Sequence, residues 1–237
     1  IMDFVYFGIY NAYHSSYIFK GNIIGDRPNA SANTYYGIYC ATGSINGVID
    51  GNKLKSGFNG MQPNVNTAVG IYMVTSAFFG QENVIKNNII SDMQTDGTII
   101  GIYIPGYSYN NIFHNTIAIE DVSLSGTYHY GIYAYGTNTN IRNNLVYMKK
   151  GGAIGLYGIY ISNSAGVISN YNDVYLSSIS GAKYFGYWNG AWTSQAQMAA
   201  AGSDANSMQV DPLLISVPLE NFRPTNSVIN NMCTTQG

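Results

Sequence analysis

One three-residue word, Gly-Ile-Tyr, is written six times in this chain, beginning at Gly8, Gly37, Gly70, Gly101, Gly131 and Gly158. Successive copies lie 29, 33, 31, 30 and 27 residues apart, and a degenerate seventh, Phe185-Gly186-Tyr187-Trp188, is placed 28 residues further on. Self-similarity at this period marks a chain whose units cannot bury their own apolar face and must stack on one another. About a dozen residues after each copy stands a second word: an apolar residue, two others, Asn, one more, then an apolar residue. It reads Phe19 to Asn22 to Ile24, Ile49 to Asn52 to Leu54, Ile85 to Asn88 to Ile90, Ile112 to Asn115 to Ile117, and Ile141 to Asn144 to Val146. A sixth, from Ile168 through Asn172 to Val174, is read with one extra residue.

Apolar and polar residues alternate within these words, which is strand periodicity, and no helical pattern is sustained until the last fifth of the chain. Three short strands per unit, joined by tight bends, predict a coil whose turns hydrogen-bond in parallel. Strict alternation through Gly-Ile-Tyr puts Val69, Ile71 and Met73, Ile100, Ile102 and Ile104, and Tyr157, Ile159 and Ile161 inside, with Gly and Tyr outside. Stacking then lines up Tyr10, Tyr39, Tyr72, Tyr103, Tyr133, Tyr160 and Trp188 as an outer ladder, with Tyr6, Tyr35, Ala68, Ile99, His129, Leu156 and Tyr184 in the neighbouring outward lane. Asn22, Asn52, Asn88, Asn115, Asn144 and Asn172 stack at a bend, where an amide can bond both its own backbone and the next amide. This second ladder is structural.

The expected fold is therefore all-β: a parallel β-helix of about seven turns over residues 1–190, closed by residues 191–237 of the same domain. In the closing segment Ser194 to Ala201 reads as a short helix started by Ser194 and ended by Gly202. A solenoid end needs such a cover over its core and strand edges. The chain opens on Ile1 inside a strand-like stretch and is expected to be a segment of a longer or processed protein.

Only 9% of the 237 residues are charged and the net charge is -2, while 22 Tyr and 27 Gly sit among many Asn, Ser and Thr. Nucleic acid needs clustered Lys and Arg, and an anionic membrane needs the same, so neither is an expected partner. No apolar run reaches the roughly 20 residues that span a bilayer, and no membrane insertion is expected. Cys40 and Cys233 fall about five repeats apart, beyond the ~7 Å reach of a disulfide, and are expected as free thiols.

These two words together resemble the right-handed parallel β-helix repeat family, the pectate-lyase-like superfamily, over about residues 4–190. The ending, from Trp192 through Asp204 to Ser207, Asp211 to Leu214 and Phe222-Arg223, resembles the tail of large secreted β-helix proteins of Bacteroidetes-type bacteria. That resemblance implies export to the cell surface or beyond, and it puts the Tyr ladder outside the first strand of each turn, where pectin-degrading members bind polysaccharide. The superfamily also contains polygalacturonases, other lyases, phage tailspikes and adhesins, and fold alone does not choose among them. The Asn-Thr-Asp, Asp-Asp and Gly-His-Gly words of polygalacturonases are absent, as are the calcium-binding carboxylates and catalytic Arg or Lys that lyases carry on this face. The expected role is a non-catalytic, adhesin-like segment binding carbohydrate through the Tyr and Trp ladder, with His129 as a polar contact. The alternatives are a polysaccharide lyase or glycoside hydrolase of the same fold, and a structural stalk.

Asp92, Asp96, Glu120 and Asp121 follow the Asn word in consecutive turns and are the candidates for a calcium site or a carboxylate pair. Ordinary solvated charge is the expectation for them. Lys20, Asp50, Lys86 and Arg142 share an outward position of mixed sign, and His14, His114 and His129 show no metal-ligand spacing. Asn29-Ala30-Ser31 is a formal glycosylation acceptor.

Overall fold

The computed structural model describes residues 6–25, 34–55, 65–121, 126–217 and 221–230; Cys233 and the Asn29 acceptor lie outside them. The chain coils as a right-handed parallel β-helix of three stacked sheets. The first sheet holds Phe7–Asn11, Tyr35–Cys40, Ala68–Met73, Ile99–Ile104, Tyr128–Ala134, Gly155–Ile161 and Ala182–Trp188. The second runs from Ile18–Lys20 to Ile168–Asn170 and the third from Ile23–Ile24 to Asp173–Ser178, with six strands each. Six full turns result, plus the first strand of a seventh. Each sheet contributes one stacked apolar row to the interior: Ile38, Ile71, Ile102, Ile132 and Ile159; Ile49, Ile85, Ile112 and Ile141; and Ile24, Leu54, Ile90, Ile117, Val146 and Val174, all fully buried.

The bend between the second and third strands is one residue in the left-handed region: Gly21, Gly51, Asn87, His114, Asn143 and Tyr171, with φ between 55° and 65°. Every ladder asparagine follows immediately. The Oδ1 of each accepts both the backbone N–H and the side-chain amide of the Asn one turn before, at 2.8–3.1 Å, from Asn22 through to Asn172. The second amide hydrogen of Asn52, Asn88, Asn115, Asn144 and Asn172 goes to a carbonyl one turn back, at Phe19, Ile49, Ile85, Ile112 and Ile141 respectively. A buried amide has no capacity left over, which is the condition for tolerating it in a core.

The ladder's last member shows how the coil is closed. Asn172 gives its backbone N–H to Ser207 Oγ at 2.9 Å and its amide to Asp204 Oδ1 at 3.0 Å, so the tail imitates one more asparagine. Met208 continues the third sheet as an isolated parallel bridge to Asp173. Helix α1, Gln195–Ala200, carries the expected Ser194 cap, with a capping box closed by Gln197. Its Met198 is fully buried against Gly186, which follows Ile159 in the core row where every earlier turn has Ile. An antiparallel strand, Ala191–Trp192, ends the parallel stacking of the first sheet.

Three details differ from strict alternation. The residue before each Gly faces outward and the Gly faces the core: a Cβ on Gly101 would lie 2.6 Å from the carbonyl oxygen of Gly131 and 2.9 Å from Ile117, inside the coil. The strand therefore slips face at Gly, with Gly101 and Ile102 both inward, and the space for the slip exists because Gly has no side chain. Gly101→Ala is expected to lower stability by about 2–3 kcal/mol through overpacking against backbone, read as a shift of the denaturant midpoint. Tyr35, Ala68, Ile99, His129 and Leu156 are consequently buried and not in an outward lane. The sixth Asn word has no extra residue either: Ile141 pairs with Ser169, which bonds the Asn172 amide at 3.2 Å, and Ile168 is exposed.

Candidate functional site: the aromatic face of the first sheet

Because the residue before each Gly points out, the outer face of the first sheet carries two aromatic lanes where one was expected. The first is Tyr10, Tyr39, Tyr72, Tyr103, Tyr133, Tyr160 and Tyr187, paired in register turn by turn. Its ring centroids follow one another at 5.4, 4.9, 5.0, 5.0, 4.7 and 4.6 Å. Trp188 is not its last member. The register sets Tyr187 over Tyr160 and Trp188 over Ile161, so the seventh copy is spaced by 27 residues and Trp188 packs against the core. The degenerate copy misleads because its Gly186 occupies the Ile position and Phe185 the Gly position.

The second lane is Phe7, Tyr36, Val69, Ile100, Tyr130, Tyr157 and Tyr184. It touches the first sideways, with Tyr36–Tyr39, Tyr130–Tyr133 and Tyr157–Tyr160 all at 5.0–5.1 Å. The signal for it was present: an aromatic precedes Gly8, Gly37, Gly131 and Gly158, a poor choice for a position assigned to the core, where each phenol would need a partner. Ring orientation is not uniform. Tyr103 and Tyr133 lie within 14° of parallel, whereas Tyr160 is turned by 86° to Tyr133. Tyr10 is exposed and the later members of the first lane are half-buried by one another.

The phenols act on each other. Burial, followed by the neighbouring phenols, pushes Tyr72, Tyr130 and Tyr157 up to about 12 and raises Tyr39, Tyr103 and Tyr160 in the same direction. These hydroxyls are neutral donors and acceptors throughout the physiological range. The strands of this sheet from Phe7 to Trp188 carry no Asp or Glu, and their ionisable nitrogens are those of His129 and Lys183.

His129 is buried inside the coil, and so takes no part in the outer face. Its Nδ1 accepts the Ile99 N–H at 3.1 Å. Burial, reinforced by Lys150 and opposed by Asp121, holds its imidazole down at about 3. As pH falls below the ordinary value of 6.5, an unfolded chain protonates here while the folded chain does not, so stability is lost from 6.5 down to about 3. Asp173 behaves oppositely. Burial and then nearby Asp211, against hydrogen bonds from Val210 and Val174, raise it to about 6, so stability is gained as pH falls through 6. Each contribution is about 3 kcal/mol at pH 4, and the two largely cancel. Relative to the native pH profile, His129→Gln is expected to gain stability at pH 4 and Asp173→Asn to lose it, read by denaturant unfolding at both pH values.

The acidic residues do not gather. Asp121 turns inward, where its Oδ2 pairs with Lys150 Nζ at 2.9 Å and accepts the Thr95 N–H at 3.0 Å. Glu120, its neighbour on the strand, turns outward and accepts the Tyr147 hydroxyl at 2.7 Å. Asp92 sits in a left-handed bend beside Gln94, and Asp96 is half-buried. Among the described residues no group of three or more His, Cys, Asp or Glu is placed to hold a metal ion. Cys40 is a buried free thiol, pushed up to about 12 by burial and therefore inert. No described helix is long and apolar enough to cross a membrane.

Fold and face together define a parallel β-helix with an uncharged, two-lane aromatic outer surface. No protein-family model, no curated protein and no solved structure matches the chain.

Proposed function

We propose that this chain is a non-catalytic segment of a secreted or cell-surface β-helix protein that binds carbohydrate through the tyrosine face of its first sheet. The observation that carries this reading is the continuity of the face, with a row of tyrosines on seven successive turns and a second, mostly aromatic row beside it. Apolar faces of sugar rings pack on aromatic side chains, and phenols add hydrogen bonds at the rim of the contact. The candidate carboxylates lend no support to a hydrolase or lyase, since Asp121 is committed to Lys150 and Glu120 to Tyr147, both away from the tyrosine lanes.

A structural stalk is the competing reading, favoured by the way the rings bury one another, since each offset pair contributes ~0.5–1.5 kcal/mol without any ligand. The test is retention on a panel of immobilised polysaccharides, comparing the native chain with a Tyr103→Ala, Tyr133→Ala double variant whose fold is checked by circular dichroism. Retention by the native chain that falls about tenfold in the variant, with the glycan left intact, is the expected result. Shortened glycan chains would identify an enzyme, and no retention on any glycan would leave the stalk.

A further inference from the structure

We propose that Lys150 and Asp121 condense into an intramolecular amide, a covalent cross-link between the fourth and fifth turns of the coil. The inference does not depend on what the tyrosine face binds, because the two groups lie inside the coil and not on its outer surface.

The sheet sets two reactive groups against each other. Lys150 ends the third-sheet strand Leu145–Lys150 and pairs in register with Asp121, which ends Thr116–Asp121 one turn earlier. Both side chains turn inward, with 0% and 4% of their surfaces exposed, and Nζ lies 2.9 Å from Oδ2. The Thr95 N–H, from one turn earlier again, holds the same oxygen at 3.0 Å, so the carboxyl group is fixed in place. The carbon to be attacked is one bond from that oxygen. Groups held in contact in this way need no encounter, and their reaction is unimolecular.

Burial supplies the driving force. In water the hydration of ammonium and carboxylate opposes their conversion to an amide, whereas inside the coil that hydration is lost and the ions are costly to keep. A low-dielectric interior also favours the neutral forms, reached when Nζ passes a proton to the carboxylate. The amine nitrogen then attacks Asp121 Cγ and the new N–C bond forms. A second proton moves from nitrogen to the hydroxyl oxygen, the C–O bond breaks, and one water leaves. No oxidant, reductant or other reactant enters. Freshly folded chain holds the ion pair, and the uncharged amide accumulates from it with time.

A buried donor stands at the same corner, between the third sheet and the first. His129 is fully buried on Tyr128–Ala134, the next strand after Asp121. Its Nδ1 accepts the Ile99 N–H, on the segment that also carries Thr95, so the ring proton is on Nε2. That nitrogen has no hydrogen-bond partner. An orphaned donor in a core calls for a reason, and the oxyanion formed at Asp121 during the attack supplies one.

The test is mass spectrometry of the native chain, folded, purified and analysed fresh and after warm incubation. A species lighter by one water is expected to grow in. Trypsin should then release residues 87–142 joined to residues 150–183, because an acylated Lys150 is no longer cleaved. The joined peptide decides the matter, since Asp96-Gly97 can lose one water by closing a succinimide on its own. Lys150→Arg, which keeps a cation and removes the amine, is expected to give no joined peptide. His129→Asn, whose side-chain oxygen can still accept the Ile99 N–H, is expected to form it severalfold more slowly. Native chain that keeps its full mass, or that loses water within residues 87–142 alone, would overturn the proposal. So would an equal yield of joined peptide from chain incubated in denaturant. An unchanged rate in His129→Asn would overturn the part given to His129.

Discussion

Asn115→Leu is expected to lower the free energy of unfolding by about 4 kcal/mol or more, although the two side chains are close in size. Asn115 Oδ1 accepts the Asn88 N–H at 3.1 Å and the Asn88 amide at 2.9 Å, while its own amide reaches the Ile85 carbonyl and Asn144 Oδ1. Leucine strands both Asn88 donors and the Ile85 carbonyl in an interior that water does not reach, at about 1–3 kcal/mol for each unsatisfied group. Asn22→Leu supplies the contrast. Asn22 gives two hydrogen bonds to Asn52 but is half-buried at the first turn, where water can replace them, and about 1 kcal/mol is expected. Chemical denaturation of the two variants measures the difference. Equal losses would mean that the ladder contributes through each asparagine's own bend and not through the chain of amides.

The second large effect is expected at Lys150→Met, about 3–5 kcal/mol. Lys150 is fully buried in the third sheet, directly across from Asp121 on the preceding turn, and its ammonium meets the carboxylate at 2.9 Å. Removing the cation leaves the carboxylate desolvated without the charge it is paired with, and that loss exceeds what the pair contributed over an apolar replacement. Adding Asp121→Asn to Lys150→Met should recover most of the stability, because asparagine still accepts the Thr95 N–H and no charge is left. Thermal and denaturant melts of the two single variants and the double variant form the cycle. A double variant as unstable as the worse single one would show that the pair is needed for packing and not for charge balance.

Acidic residues that are close in sequence were thus separated by the sheet. Glu120 and Asp121 are adjacent, yet strand geometry sends one to solvent and the other to the core, so a corner cluster read from spacing alone dissolves. His129 tells the same lesson in reverse. Its lane, Tyr35, Ala68, Ile99 and Leu156, is apolar or aromatic at every other turn, a core signature that strict alternation from Ile102 overrode. Trp188 was drawn into the ladder by aligning Gly with Gly, whereas the hydrogen-bond register aligned Tyr with Tyr.

The sequence by itself determined the architecture. A word repeated every 27–33 residues, each unit with three short apolar pieces and an asparagine before the third, admits one economical solution: parallel stacking, with like side chains over like. The asparagine ladder, the outward Tyr row from Tyr10 to Tyr160, and the Ser194-capped helix all follow from local rules of period, bend and cap. Only the tertiary structure decided which residues flank that row. The face slip at each Gly depends on a backbone oxygen of the next turn lying within 2.5–2.7 Å of where a Cβ would stand, a contact between residues about thirty apart that no local pattern encodes. That slip turns Phe7, Tyr36, Tyr130, Tyr157 and Tyr184 outward and makes a two-lane surface out of a single ladder.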